Sequence, residues 1–292
     1  MKRILLFLIT NLAVVFVLTV VAYVTGLDRW LAQHGQSLGG LLVLAAFFGF
    51  GGSFISLAMS KFTAKRLMGV QVIDPQTTDP RGRWLLSVVE NYARSVGVGM
   101  PEVGVFDSPE PNAFATGASR NSALVAVSTG LMQRMGQKEV EAVIGHEMTH
   151  VANGDMVTLT LIQGVVNTFV IFLSRVIAGL IGGRDERGGG GVYFLSVIVL
   201  QLVLGVLANI IVMWFSRRRE FRADRGGAQL AGKGNMIGAL EDLKRVHEPL
   251  PAPQFAAFGI AEGPVAGGIK RLFMSHPPLD ERIAALRTLN IN

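Results

Sequence analysis

"QKEVEAVIGHEMTHVANGD", Gln137 to Asp155, is the stretch on which the reading of the whole chain turns. Glu139 and Glu141 fall in the first turn of a helix, where acidic groups face the positive end of the helix dipole. Asn153-Gly154 supplies a natural stop. Between these ends, His146 and His150 are four residues apart, so a helix projects both from one face, one turn apart. Two imidazoles placed this way can share one ion. Glu147 is one position on and points beside them, close enough to hold a water at that ion. This is the H-E-x-x-H arrangement. Zinc brings the pKa of its water toward 7, and the carboxylate accepts the proton and passes it to a leaving amine. The plainer alternative is a surface or core helix that carries two unliganded histidines.

The rest of the chain limits how such an ion is held. There are 292 residues with five histidines and no cysteine. That excludes disulfides, thiolate ligation and a cysteine nucleophile, and leaves His, Asp and Glu as ligands. Catalytic zinc takes three protein ligands and keeps one position open. The metzincin continuation would need a glycine three residues after His150 and another histidine three beyond. Asn153 and Met156 stand there, so that branch is excluded. The remaining common solution is a glutamate from a second helix, and "RRREFRAD", Arg217 to Asp224, offers one. Glu220 and Asp224 share a helical face. Glu220 can ligate the metal, and Asp224 can accept a hydrogen bond from a ligand histidine and fix its ring. Alternatively both acids merely pair with the neighbouring arginines.

Composition points to a membrane. Half of the residues are hydrophobic and only 16% are charged, against about a quarter in soluble domains; the mean hydropathy is +0.44. Four apolar runs are long enough to cross a bilayer as helices, at about 4–26, 38–59, 159–183 and 192–215. The first follows Lys2 and Arg3 but is too long for a signal peptide, so it reads as a retained anchor. The second is glycine-rich, which permits close helix contact in lipid. The third contains Gln163, Asn167 and Arg175. That arginine must snorkel or face protein, so the third and fourth runs either span or form a shallower hairpin. Lys2 and Arg3, Lys61 to Arg66 and Arg217 to Arg219 all fall on one side if every run spans, and the positive-inside rule makes that side cytoplasmic. Residues 1–60 then form one membrane hairpin and 158–215 another. Residues 61–157, with the H-E-x-x-H helix, and 216–292, with the third ligand, together form a cytoplasmic domain. The net charge of +6 comes without interleaved basic and aromatic residues, so no nucleic-acid partner is expected.

Within the polar segments, "WLLSVVENYARS" has helical periodicity. "MPEVGVFDS" and "SALVAVSTGL" read as short strands, which makes the fold α+β and mainly helical with a small sheet. "NAFATG", Asn112 to Gly117, is either an edge strand on which an extended peptide adds or an ordinary turn into a strand; Asn112 would lie nearest the site in the first case. His276 in "SHPPLDERI" could donate to an oxyanion, and Arg282 could do the same or anchor substrate. The alternative there is a rigid turn set by Pro277 and Pro278. His34 and His247 have no acidic ligand pattern around them and read as solvated. "RGGGG" reads as a flexible linker, and 249–268 as a loose segment over the site.

With these residues in hand, the chain resembles the HtpX family of bacterial membrane zinc metalloproteases, and more distantly it is similar to the CAAX prenyl endopeptidases. "LLFLITNLAVV", "FGFGGSFISL", "NAFATG", "LVAVSTGL", "GHEMTH", "NGDMVT", "LIQGVVNTFVIF", "MWFSRRREFRAD" and "HPPLDERI" carry the likeness, in this order and over nearly the whole chain. The resemblance implies a zincin-like (gluzincin) domain, one zinc per chain on His146, His150 and Glu220, and Glu147 as the catalytic acid and base. It also implies cleavage of membrane or misfolded proteins at the cytoplasmic face of the inner membrane, in envelope stress and protein quality control. Proteolysis within the bilayer is disfavoured, because Gln137, Lys138, Asn153 and Asp155 flank the motif. A catalytically silent metal-binding scaffold in the membrane remains the competing function.

Overall fold

The computed structural model describes residues 37–181, 189–247 and 276–290, together with isolated positions between 19 and 32. Most of the apolar run 4–26, His34, residues 184–188 and the segment 249–268 lie outside the described residues, as does the side chain of His247. The chain divides into two compact units, one of residues 1–56 and 159–212 and one of residues 57–158 and 213–292.

Three helices among the described residues are long and apolar enough to cross a membrane: α1 (Leu38–Leu67), α5 (Asp155–Ile181) and α6 (Gly189–Ala231). In the first unit, Leu42 and Ala45 of α1 pack with Phe172 and Val176 of α5. Glycines allow the contact: a Cβ on Gly49 would overlap Thr168, and one on Gly164 would overlap the Phe50 ring. Polar groups here bond within their own helix, as an apolar solvent requires. Thr168 Oγ1 donates to Gly164 O at 2.8 Å, Gln163 Nε2 to Asn167 Oδ1 at 2.9 Å, and Arg175 Nη1 to Ile171 O at 3.2 Å. The arginine is thus half-buried and spent on backbone one turn back. Along α6, Phe194, Leu195, Leu202, Val203, Val206 and Leu207 are all exposed, the arrangement expected where lipid is the solvent.

Each of these helices runs past the apolar stretch read from sequence. α1 continues eight residues beyond Met59, α5 begins at Asp155 rather than Leu159, and α6 continues through "SRRREFRAD" to Ala231. The helix that presents Glu220 is therefore not a separate one but the polar continuation of the fourth apolar run. Between Phe215 and Ala231 the helix is continuous even through Gly226-Gly227, a cost of about 1 kcal/mol per glycine that packing offsets. It ends at Gly232, with φ +98°.

The second unit is built on a four-stranded mixed sheet. Its strands are β1 (Gln71–Val72), β2 (Glu102–Phe106), β3 (Ala113–Ser119) and β4 (Ser122–Ser128), in the order β1-β2-β4-β3. β2 and β4 are parallel, and the outer pairs are antiparallel. β4 is buried beyond its first residue. In "NAFATG", Asn112 precedes the strand and Ala113 onward forms β3, which pairs with β4 on one side only and so lies at the edge of the sheet as described. Around the sheet stand α2 (Pro80–Val96), α3 (Thr129–Arg134), α4 (Gln137–Asn153), α7 (Lys233–His247) and α8 (Leu279–Arg287). α2 starts on Asp79, whose carboxylate accepts from Gly82 N at 2.7 Å, with proline at the first helical position. Trp84 Nε1 donates to Glu141 Oε1 at 3.1 Å and ties α2 to α4.

α4 is the centre of this unit. Ala142, Val143, Ile144, His146, Met148, Thr149 and Val151 are buried, in one core with Leu85, Val125, Leu131, Met236, Leu240 and Ile283. This rules out a surface helix with incidental histidines. The α6 extension lies against α4 almost backbone to backbone. A Cβ on Gly227 would stand 3.0 Å from His146 N, and one on Gly226 would collide with the Thr149 side chain. Gly226→Ala should therefore lower stability by about 1–3 kcal/mol through overpacking, read as an earlier thermal unfolding midpoint in detergent. Gly205→Ala, where a Cβ meets nothing within 4 Å, should show no loss.

Candidate metal centre

The site is assembled at the C-terminal end of α4. Gly154 takes the left-handed conformation, φ 61°, ψ 39°, and its N–H caps the His150 and Val151 carbonyls, the usual use of glycine at a helix end. The turn is so tight that α5 begins at the next residue, and the Asp155 side chain folds back over the end of α4. His150 Nδ1 donates to Asp155 Oδ2 at 2.8 Å. His146 Nδ1 donates to Asp224 Oδ1 of α6 at 2.9 Å. Each acid holds one ring nitrogen and so fixes the tautomer. The two Nε2 atoms are left facing one another at 3.2 Å.

Glu220 completes the cluster. Its Oε2 lies 3.4 Å from His146 Nε2 and its Oε1 3.4 Å from His150 Nε2. With zinc–ligand bonds of about 2.0–2.2 Å, a tetrahedral centre has edges of roughly 3.3–3.6 Å. The three observed separations, 3.2, 3.4 and 3.4 Å, fall on that scale. Two imidazole nitrogens whose protons are committed elsewhere stand this close only around a shared proton or cation, since two lone pairs repel. The donor set thus suits a zinc-sized ion held by three protein groups. Glu220 and Asp224 are buried and engage these histidines rather than the arginines beside them in sequence.

His276 and Arg282 also reach the cluster. His276 Nδ1 donates to Glu220 Oε2 at 2.7 Å, while its side chain stays 59% exposed. It precedes Pro277-Pro278, and Pro278 caps the start of α8. Arg282 is buried; its Nε donates to Asp224 Oδ2 at 2.8 Å and its Nη2 to Asp224 Oδ1, which leaves Nη1 3.6 Å from Glu220 Oε2. The guanidinium is therefore first a clamp on Asp224, with one amino group turned toward the cluster. Glu147 is half-buried on the same turn as the histidines, and its charge acts on both His150 and Arg282. Asn112 is not brought into this set. It is exposed, and its backbone N–H donates to Ser128 Oγ at 2.9 Å, at the entry to β3.

Sequence reasoning missed Asp155 as a partner of His150. The only signal was its place directly after the Asn-Gly stop, where an acid reads as the first residue of a new helix. It also missed Arg219. This arginine is buried, with Nη1 donating to Asp155 O at 3.0 Å and Nη2 to Ser216 Oγ at 3.1 Å.

Comparisons with known proteins give the chain's relatives. The family profile described as Peptidase family M48 matches residues 79–290. The chain is 60% identical over 293 residues to a protease HtpX homolog of Thiobacillus denitrificans, covering 99% of this chain and all of that one. It is 59% identical over 295 residues to the protease HtpX of Thioalkalivibrio sulfidiphilus, covering 99% of each. Among solved structures, S. mikatae Ste24p superposes with a TM-score of 0.60 at 19% identity, over 97% of this chain and 67% of that one; this is a likeness of fold.

The electrostatics of the cluster set a pH dependence. Burial alone would depress the His150 imidazole, but hydrogen bonds to Asp155 and Glu220 and the charges of Glu147 and Glu220 outweigh it and raise its pKa to about 10. A metal entering at Nε2 must displace that proton. Below about pH 10 the proton competes, so the apparent zinc affinity of chelator-stripped protein should rise with pH, by about tenfold per unit for one proton released. Competition against a chromophoric chelator at about pH 7 and about pH 9 checks this; equal affinities at the two would contradict it.

Proposed function

The chain belongs to peptidase family M48, and from that membership we propose that it is a zinc-dependent endopeptidase of the bacterial inner membrane. On this reading it cleaves membrane or misfolded proteins at the cytoplasmic face. The single observation that carries the reading is the convergence of His146 Nε2, His150 Nε2 and the Glu220 carboxylate at the edge lengths of a tetrahedral zinc centre. Glu147 stands beside it, with no hydrogen-bond partner of its own among the described residues.

When bound, zinc supplies Lewis acidity and a nucleophilic water at neutral pH. The protein supplies the rest. His146, His150 and Glu220 hold the ion, one per chain. Asp224 and Asp155 keep the two rings turned toward it. Glu147 takes the proton of the attacking water and returns it to the leaving amine. Arg282 Nη1 is the donor available to the oxyanion, while His276 donates from Nδ1 to Glu220 and steadies that carboxylate. The edge of β3 offers backbone groups to a substrate lying as an added strand, which selects extended and therefore unfolded polypeptide, and the exposed Asn112 side chain stands at its entry.

Lys2 and Arg3, Lys61 to Arg66 and Arg217 to Arg219 support a cytoplasmic placement of both parts of the peptidase domain. So does the need for α6 to return Glu220 to the side that holds α4. A protease on that side, facing unfolded chains, fits protein quality control during envelope stress; the relatives named protease HtpX support the protease part of that reading.

Glu147→Gln should keep stoichiometric zinc and lose casein cleavage by at least 10²–10⁴-fold, the usual contribution of a general base. Glu220→Ala should lose the zinc as well. Both are read by metal analysis beside proteolysis on detergent-purified protein. Wild-type protein that holds zinc and never cleaves an unfolded chain would establish the silent scaffold instead.

A further inference from the structure

The buried arginine on α6 has no role in the mechanism above. Burying a guanidinium one residue from a metal ligand is costly unless anionic or acceptor groups surround it. Arg219 faces the Asp155 carbonyl at 3.0 Å and Ser216 Oγ at 3.1 Å, and the charges of Asp155 and Glu220 favour it. Its Nε has no partner among the described residues. The guanidinium therefore spends its bonds on one backbone atom of another helix and on its own helix, one turn back.

That backbone atom belongs to Asp155, which does two things at once. Its carboxylate holds His150 Nδ1 at 2.8 Å, and its carbonyl accepts from Arg219. As the first residue of α5, Asp155 would ordinarily turn its carboxylate onto the free N–H groups of its own helix. Here that carboxylate reaches back across Gly154 instead. Only a fixed backbone at 155 keeps it there, and Arg219 fixes it from α6. The other ligand histidine is also backed by an aspartate and an arginine, there through side chains alone: Asp224 holds His146, and Arg282 holds the Asp224 carboxylate. Each imidazole thus rests on an aspartate, and each aspartate on an arginine. Arg219, the arginine behind Asp155, comes from the turn of α6 that also carries Glu220.

We propose that Arg219 is a positioning residue of the metal centre, which acts on His150 through Asp155. The inference rests on the zinc-peptidase reading. Arg219 touches neither ion nor substrate. It sets the angle at which the His150 lone pair meets the ion, and it couples that angle to the position of Glu220.

The test uses the full chain in detergent with Arg219→Met, Arg219→Lys, Asp155→Asn and the Arg219→Met/Asp155→Asn pair. Three quantities are read: zinc release into a chelator, the visible absorption of the cobalt-substituted protein, and kcat and KM on casein. Loss of an outer partner of a ligand histidine costs about 10–100-fold in metal affinity or activity. Arg219→Met should release zinc faster and lower kcat within that range, with KM little changed. Its cobalt spectrum should shift in the same direction as that of Asp155→Asn, and Arg219→Lys should recover part of each loss. The double variant should be no worse than Asp155→Asn alone, since residues acting in one chain are non-additive. Arg225→Met, an exposed charge on the same helix, should match wild type throughout.

A wild-type cobalt spectrum and zinc release in Arg219→Met would overturn the inference, as would losses that simply multiply in the double variant. If Arg219→Met does not fold, Arg219→Lys and Asp155→Asn decide the matter by whether their spectra move together. Wild-type protein that takes up no zinc overturns the zinc-peptidase reading itself, and this inference with it. Wild-type zinc and cleavage alongside an indifferent Arg219 overturn this inference alone.

Discussion

Two imidazole nitrogens 3.2 Å apart, each with its other nitrogen held by an aspartate, are the constraint around which the second unit is arranged. Left alone, the pair repels. The repulsion is relieved only by positive charge between the rings, and only if neither ring rotates. Asp224 and Asp155 forbid the rotation, and Glu220 supplies negative charge at the remaining corner. The supports come from three directions in sequence: the turn that follows α4, the extension of α6, and α8 through Arg282. Such a cluster gains little from any one pair, because each charged group loses hydration on burial. Its stability comes from the closed set of hydrogen bonds, in which a half-satisfied network would be worse than an apolar core.

Packing makes that set possible. Glu220 sits within hydrogen-bonding reach of α4 because α6 carries two adjacent glycines where it crosses the H-E-x-x-H helix. The same α6 supplies the apolar surface of a candidate membrane span and, without interruption, the third donor, the His146 support and the Asp155 tie. Ser216, Arg219, Glu220, Ala223, Asp224, Gly227 and Ala228 recur at helical spacing and form the buried face. Trp214, Arg218, Arg222 and Arg225 lie on the exposed one, where Arg218 stacks over the Trp214 ring at 4.8 Å.

Much of this could be read from residue spacing alone. The histidines at i and i+4, the Asn-Gly stop and the Glu220–Asp224 pair are local patterns, and local geometry fixes what they can do. Asp155 was not legible, because its contact depends on how a left-handed glycine redirects the chain, and no periodicity encodes that. Arg219 was hidden among Arg217, Arg218 and Arg219, three identical residues that read as a topology signal. Only the phase of the helix against α4 separates the one that is buried. The extent of α6 was misjudged for a similar reason. A fall in hydrophobicity after Phe215 marks a change of solvent and says nothing about where the hydrogen-bonded backbone ends. The strand in "NAFATG" is obscured in the sequence because Asn and Gly also serve turns, and only pairing with β4 defines its bounds.

The unbroken run of α6 from Trp214 to Glu220 has a consequence for reach. A helix advances about 1.5 Å per residue, so the Glu220 backbone stands only about 8 Å along the axis from Phe215, the last apolar residue of the run. Phe215 and Glu220 thus share one hydrogen-bonded backbone, and a kink introduced between them would swing the third carboxylate away from both imidazoles.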